Sequence, residues 1–139
     1  MELTEVEARY LLYIYRRQEE EGERVGTSSL AQQMGVKPPT SNEVLRRLAR
    51  RGLLHYTRYL GFRLTLKGRR KARELLRCHR LLETLLCRML GCSSSEACME
   101  ASRLDLHLSS KLARMICRVL GHPRTCPCGK PIQEEAGCR

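Results

Sequence analysis

Between Gly26 and Leu66 the chain offers two short helical segments broken by a forced turn, then a pair of β-compatible runs. Leu30 to Met34 reads as helix, with Thr27 or Ser28 placed to cap its start and Gly35 to end it. Val36 is expected to plug the turn into the core. Val25 to Thr27 is a short stretch expected to pair weakly with the later hairpin. Pro38-Pro39 sets the backbone for a new helix, because the first helical position has no intrahelical partner for the N–H that proline lacks. That helix is expected over Pro39 to Arg51, burying Val44, Leu45 and Leu48, with Gly52 as its cap. Leu53 to Tyr56 and Phe62 to Thr65 are strand-like. Thr57 to Gly61 joins them, and Gly61 suits the positive φ of a hairpin turn. Helix, tight turn, arginine-rich helix and hairpin together outline a winged helix-turn-helix, a module that sets one helix in the DNA major groove.

The flanking segments read as helical support. Thr4 and Glu7 fit a capping box. Val6, Tyr10, Leu11, Ile14 and Tyr15 recur at helical spacing, predicting a helix to about Glu20 with Gly22 as its stop. After the hairpin, Thr65 caps a long helix from Lys67 to about Leu90, with Ala72, Leu75, Leu76, Leu82, Leu85, Leu86 and Met89 as its apolar stripe. Further helices are expected over Glu96 to Leu106 and Ser110 to Leu120, the latter capped by Ser109. Gly121, Pro123 and Pro127 rule out more helix. The expected fold is mainly α: a winged-helix domain over residues 1–66, a helical domain over 67–124 and a cysteine-bearing tail over 125–139.

Charge sharpens the reading. The net charge is +11, and aromatic residues are only 4% of the chain with no Trp, so the core rests on aliphatic side chains. Between Arg46 and Arg80 stand 13 Lys or Arg residues against the single acid Glu74. A solvated helix face ordinarily mixes both signs. A field of one sign favours an anionic partner, and neutralised phosphates release counterions. The expected DNA contacts are Pro39, Thr40, Ser41, Asn42, Arg46, Arg47 and Arg50 on the second helix, with Arg58 and Arg63 on the wing. Short polar groups there reach phosphates or base edges. The competing reading is an ordinary basic surface.

No apolar run approaches the ~20 residues of a spanning helix. The N-terminus carries acids where a signal peptide would be basic and then apolar. A cytoplasmic location is expected, with no membrane partner. Eight cysteines then read as thiols, metal ligands or redox sensors rather than a disulfide frame.

Several segments, in order, resemble the diphtheria-toxin-repressor family of metal-dependent transcription regulators. They are Tyr10 to Tyr15 followed by Glu19-Glu20-Glu21-Gly22, Leu30-Ala31, Pro38-Pro39-Thr40-Ser41, Leu48 to Leu53, Leu64 to Gly68 and His79 to Glu83. The tail Cys126-Pro127-Cys128-Gly129-Lys130-Pro131-Ile132 is similar to the family's Cys-Pro-His-Gly-x-Pro-Ile. The resemblance implies a homodimer on palindromic double-stranded DNA, with iron(II) or manganese(II) as corepressor. The chain is expected to resemble the short, two-domain branch, without the SH3-like third domain of the longer members.

The resemblance also implies two metal sites, and the residues differ between them. At positions where the family places ligands of one site, this chain has Arg9, Leu12, Ser102 and Leu106, and a shortened Asp105. His107 falls one residue late, about 100° around a helix. At the other site His79 and Glu83 remain, and Cys98 stands where longer members have histidine. His79 and Glu83 at i and i+4 share a helix face. Asp105 is kept with them as a candidate ligand. An imidazole, a carboxylate and a thiolate suit zinc or iron(II) and shift preference away from manganese. The competing reading pairs His79 and Glu83 with arginines such as Arg80 and buries Cys98 as a small core residue.

Cys78, Cys87 and Cys117 fall within helices, where an inert thiol is the plain reading. Cys126, Cys128 and Cys138 are loop-borne and form a second candidate cluster for zinc or iron–sulfur. One residue between Cys126 and Cys128 is tighter than a usual zinc knuckle. The expectation is a DNA-binding transcription regulator, typically a repressor, under control of Fe2+, Mn2+ or Zn2+. The alternatives are a thiol- or iron–sulfur-responsive regulator and a metal-binding interaction protein that does not bind DNA. No phosphate-cradling loop, catalytic triad or carboxylate pair points to an enzyme.

Overall fold

In the computed structural model, which describes residues 2–138, six α-helices and one antiparallel hairpin follow one another in the order read from the sequence. The chain divides into two units between Arg73 and Glu74.

In the first unit, α1 (Glu5–Tyr15) opens with a capping box. Thr4 Oγ1 accepts from the Glu7 N–H at 3.1 Å, and the Thr4 N–H donates to Glu7 Oε1 at 3.3 Å. The helical path continues to Glu20, but as a π turn over Arg16–Glu20. That wider turn carries Gln18, whose amide clamps the hairpin edge. Its Nε2 donates to the Phe62 carbonyl at 3.0 Å, and its Oε1 accepts from the Leu64 N–H at 3.4 Å.

Helix α2 (Thr27–Met34) starts earlier than expected. Gly26 is its N-cap, and Thr27 and Ser28 lie inside the helix rather than capping it. Val25 is buried but pairs with no strand among the described residues, because the sheet holds only the two hairpin strands. Val36 is 36% exposed and does not plug the turn into the core as expected, and Val6, read into the buried stripe from its spacing, is 52% exposed.

Helix α3 (Pro38–Arg50) has proline in its first two positions and packs against α1, α2 and β1 (Leu54–Thr57). Val44, Leu45 and Leu48 are buried as expected, and Ser41 is buried with them. Strand β1 pairs with β2 (Gly61–Leu64) from Leu54↔Leu64 to Thr57↔Gly61. Gly61 holds φ +72°, the left-handed value the turn requires. Helix α4 (Leu66–Leu90) is capped by Thr65, whose Oγ1 accepts from the Gly68 N–H at 2.9 Å. Gly68 allows this start to approach the hairpin: a Cβ there would sit 1.9 Å from the Leu53 carbonyl oxygen.

The second unit holds the rest of α4, α5 (Ser94–Leu104), a 3-10 turn (Asp105–His107) and α6 (Ser110–Val119). Ser93 and Glu96 form a second capping box, and Ser109 caps α6. Leu81, Leu82, Ala101, Ala113, Ile116 and Leu120 make the core. Cys126 and Ile132 of the C-terminal segment are buried in the same core. Two arginines secure that segment. Arg77 donates to the Gln133 carbonyl at 2.8 Å, and the almost fully buried Arg80 donates to the Pro131 carbonyl at 2.7 Å. Met89 is 56% exposed and is not part of the apolar stripe.

Candidate metal centre and nucleic-acid interface

The outer face of α3 carries Pro39, Thr40, Arg46 and Arg50 exposed, with Asn42 and Arg47 half-buried. Ser41 does not belong to this face. It lies three, four and seven residues before Val44, Leu45 and Leu48, so it turns inward with them, and its buried hydroxyl has no hydrogen-bond partner among the described residues. Arg58 and Arg63 are exposed on the wing, and the Arg58 guanidinium stacks 5.6 Å from the Tyr59 ring centre. Asn42, Arg46, Arg50, Tyr56 and Phe62 line one groove between α3 and the hairpin.

The basic run is less uniform in space than in sequence. Arg77 and Arg80 point into the second unit. Arg51 Nη1 bonds Glu7 Oε2 at 2.8 Å, and Arg69 bonds Glu19 at 2.8 Å. Arg50 lies 3.4 Å from Glu43, an exposed pair that water screens. What faces outward near α3 is therefore chiefly Arg46, Arg47, Arg50, Arg58 and Arg63.

In the second unit, one turn of α4 brings His79 and Glu83 together, with His79 Nε2 3.1 Å from Glu83 Oε1. Cys98 of α5 places its Sγ 3.6 Å from the same Nε2. The donor atoms of His79, Glu83 and Cys98 lie within 4.8 Å of one another. Asp105, expected among the ligands, sits on the other side of the ring: its Oδ2 is 3.0 Å from His79 Nδ1. The 3-10 turn that follows α5 puts it there. A carboxylate on Nδ1 keeps the proton on that nitrogen and leaves Nε2 free to bind a cation, the usual arrangement around a ligating histidine. Burial pulls the His79 pKa down, but hydrogen bonding to the Asp105 and Glu83 carboxylates outweighs it and leaves the imidazole above its ordinary value.

At two of the family's other ligand positions the side chain is apolar or already hydrogen-bonded within its own unit. Leu12 is buried in the first unit, and Ser102 donates its hydroxyl to the Cys98 carbonyl at 2.9 Å. The second candidate cluster also divides. Cys126 and Cys128 join Glu83, with the Cys128 Sγ 3.8 Å from Glu83 Oε2, whereas Cys138 joins Cys117 and His122. A tight turn causes the split. The Gly129 N–H donates to the Cys126 carbonyl at 2.8 Å, which aims Cys128 at α4 while the chain runs on toward α6. Burial, then the Glu83 carboxylate, raises the Cys128 thiol pKa. Burial also pushes Cys78 up to about 11, which fits an inert core thiol. Nothing in the linear pattern singles out His122. Its signal is Cys117-x4-His122 across a helix end, which pairs only once the helix is known to stop at Val119.

Glu83 thus stands between an imidazole–thiol pair and a dithiol pair. The donor chemistry fits a divalent transition ion: nitrogen, carboxylate oxygen and sulfur converge, and a carboxylate backs the histidine. A winged helix-turn-helix joined to such a unit defines a DNA-binding, metal-responsive class of protein.

The comparisons give the family. Residues 2–62 match the iron-dependent repressor N-terminal DNA-binding domain, and residues 65–134 match the iron-dependent repressor metal-binding and dimerisation domain. The chain belongs to the iron-dependent repressor family, whose members are transcriptional repressors rather than enzymes. It is 35% identical over 131 residues to the iron-dependent repressor IdeR of Mycobacterium tuberculosis, covering 94% of this chain and 56% of that protein. It is 30% identical over 131 residues to the diphtheria toxin repressor of Corynebacterium diphtheriae, covering 94% and 58%. The chain therefore spans under three-fifths of the length of these relatives. Among solved structures it is similar to a manganese-dependent transcriptional repressor in complex with manganese, with TM-score 0.84, 37% identity and coverage of 94% and 60%. It is also similar to ScaR with bound Zn2+, with TM-score 0.79, 30% identity and coverage of 92% and 59%. No helix among the described residues is long and apolar enough to cross a membrane.

Proposed function

We propose that this chain is a transcription regulator, acting in the cytoplasm as a homodimer, whose grip on double-stranded DNA is set by a divalent metal. Residues 1–66 would bind DNA and residues 67–124 would dimerise and sense. The observation that carries the sensing role is the convergence of His79 Nε2, Glu83 and Cys98 Sγ, with Asp105 on Nδ1. Asp105 orients the ring, Glu83 supplies a hard oxygen, and Cys98 supplies a soft sulfur. These three would hold the ion, whose positive charge would offset the carboxylate and thiolate gathered between α4 and α5. Thiol content favours zinc or iron(II) over manganese.

On the DNA side, the support is the outer α3 face, with Thr40, Arg46 and Arg50 exposed and Asn42 and Arg47 half-buried, flanked by Arg58 and Arg63 on the wing. Arginine in that setting binds phosphate and guanine edges. A self-associating surface is supported by exposed Leu112, Met115 and Val119, spaced along α6 at helical intervals. Two winged helices related by a two-fold axis would read half-sites one helical turn, or a multiple of it, apart.

Gel-shift titration of the reduced chain tests this. DNA fragments are selected from a random pool in the presence of Zn2+ and re-measured with Fe2+, Mn2+ or chelator. The expected result is a gain in affinity of at least tenfold with zinc or iron(II), lost in Cys98→Ala and His79→Ala. Equal affinity under every condition would leave a constitutive DNA-binding protein and refute metal control.

A further inference from the structure

Outside the site just described, one group of donors has no part in it. Cys117 lies near the end of α6, His122 follows the helix, and Cys138 closes the C-terminal segment. Their ligating atoms lie within 4.8 Å of one another. The His122 Nδ1 is 3.4 Å from the Cys117 Sγ and 4.0 Å from the Cys138 Sγ. We propose that Cys117, His122 and Cys138 form a separate zinc site of Cys2His type, with water in the fourth position, that clips the C-terminal segment to α6.

Three observations carry this. The first is size. Zinc bonds sulfur at about 2.3 Å and nitrogen at about 2.0 Å in tetrahedral geometry, which sets donor-to-donor edges of roughly 3.5 Å. The two sulfur–nitrogen separations bracket that edge and the two sulfurs lie within 4.8 Å of each other, so closing around an ion takes about an ångström of movement at most.

The second is backbone conformation. Gly121 at φ +75° and His122 at φ +54° are both left-handed, and His122 is the only non-glycine residue with positive φ among the described residues. A side chain rarely adopts that region. Here it folds the histidine back so that its N–H donates to the Cys117 carbonyl at 2.8 Å and its ring faces the Cys117 thiol.

The third is anchoring. Arg77 Nη2 donates to the Cys138 Sγ at 3.0 Å, which fixes where that sulfur sits beside the other two donors. On binding, each thiol gives its proton to solvent, and two thiolates neutralise the dication. Arg77 also holds the Gln133 carbonyl, so the clip and the arginine fasten the same segment. The site shares no ligand with His79, Glu83 or Cys98. Binding here organises the segment that carries Cys126 and Cys128 beside Glu83.

The test uses the full chain, reduced and stripped of metal, titrated with Co2+ and then Zn2+ against a chromophoric chelator. The variants are Cys138→Ser, His122→Ala and Cys98→Ala, each checked for folding by circular dichroism. His122 is half-buried and outside the core, so its variant keeps the test sound if Cys138→Ser unfolds. The expected result is a sulfur-to-cobalt charge-transfer band and a zinc equivalent that Cys98→Ala retains. Both Cys138→Ser and His122→Ala should weaken that equivalent by more than about 100-fold. The proposal is overturned if neither variant changes the stoichiometry or the band. It is overturned equally if Cys98→Ala removes the same equivalent, or if the chain takes no zinc and mass spectrometry finds a Cys117–Cys138 disulfide instead. Because Cys98→Ala reads the other site, failure here is separable from failure of metal control of DNA binding.

Discussion

Asp105→Asn is the sharpest test of how His79 is prepared for a metal. The Asp105 side chain is fully buried, with its Oδ2 3.0 Å from His79 Nδ1. Glu83 Oε1 and Cys98 Sγ approach the other nitrogen, at 3.1 Å and 3.6 Å. A cation shared with Glu83 and Cys98 needs the lone pair of Nε2, so the ring proton must sit on Nδ1. The carboxylate enforces that tautomer because it can only accept. Asparagine accepts more weakly and can instead donate to Nδ1, which would move the proton to Nε2 and close the site. Outer-shell partners of this kind contribute about 10- to 100-fold in affinity, or about 1.4–2.7 kcal/mol. The substitution removes no ligand atom and conserves volume, so the loss reports orientation and charge rather than a hole. Zinc affinity is measured by chelator competition in a Cys138→Ser background, which silences the clip. Ser102→Ala, which removes only a hydroxyl bonded to the Cys98 carbonyl, serves as a control and should change affinity less than about threefold. Asp105→Asn with affinity within twofold of its parent, and an unchanged fold, would refute the reasoning.

Other consequences are open to measurement. Gly68→Ala places a methyl 1.9 Å from the Leu53 carbonyl oxygen, a backbone atom that cannot swing away, and should cost about 3 kcal/mol or more in chemical denaturation; a loss under about 0.5 kcal/mol would mean that the start of α4 moves freely. At Glu7, burial raises the carboxyl pKa, but hydrogen bonds from Arg51 and Thr4 outweigh it and leave the pKa below its usual value. The folded-state value is thus depressed: the stability it provides is present above the unfolded value of about 4.3 and fades as pH falls through the folded value. Glu7→Gln should be less stable by about 2 kcal/mol near pH 7, and thermal melts should show the gap closing below about pH 4. Arg46→Ala should weaken binding to all DNA sequences and lower the salt slope by about 1, read from gel shifts across ionic strengths. Ser41→Ala should leave DNA affinity unchanged and be neutral or stabilising by about 1 kcal/mol, because its buried hydroxyl has no partner.

Local rules made most of the fold legible. Thr4 with Glu7, and Ser109, cap helices where short-range pattern placed them. The hairpin strands sit one residue away from the expected runs, because Gly61 opens β2 instead of ending the turn. Ser41 was readable in principle: its spacing from Val44, Leu45 and Leu48 is that of one helix face, and only its polarity argued otherwise. Arg77 and Arg80 were not readable. Their partners lie 56 and 51 residues away, and charge alone cannot distinguish a phosphate-facing arginine from one holding a buried carbonyl. The metal centre divides along the same line. The pairing of His79 with Glu83 is one helical turn, visible as spacing. Bringing in Cys98 and Cys128 takes contacts 19 and 45 residues apart.

Those long-range contacts bear on how a centre of this kind is assembled. A cysteine on an exposed loop, such as Cys128, cannot rely on its own burial for position. Its placement beside Glu83 instead follows from the segment around it: Cys126 and Ile132 are in the core, and Arg77 and Arg80 grip Gln133 and Pro131. A buried guanidinium is costly unless it is hydrogen-bonded, so these arginines favour the docked segment over a detached one that would take those carbonyl bonds away. They also offset the negative charge that Glu83 and neighbouring thiolates would bring into a shared interior. Two arginines that the linear sequence assigns to a DNA-facing field are therefore better understood as the supports of a sulfur-rich metal centre. Replacing either should disturb metal binding before it disturbs contact with DNA.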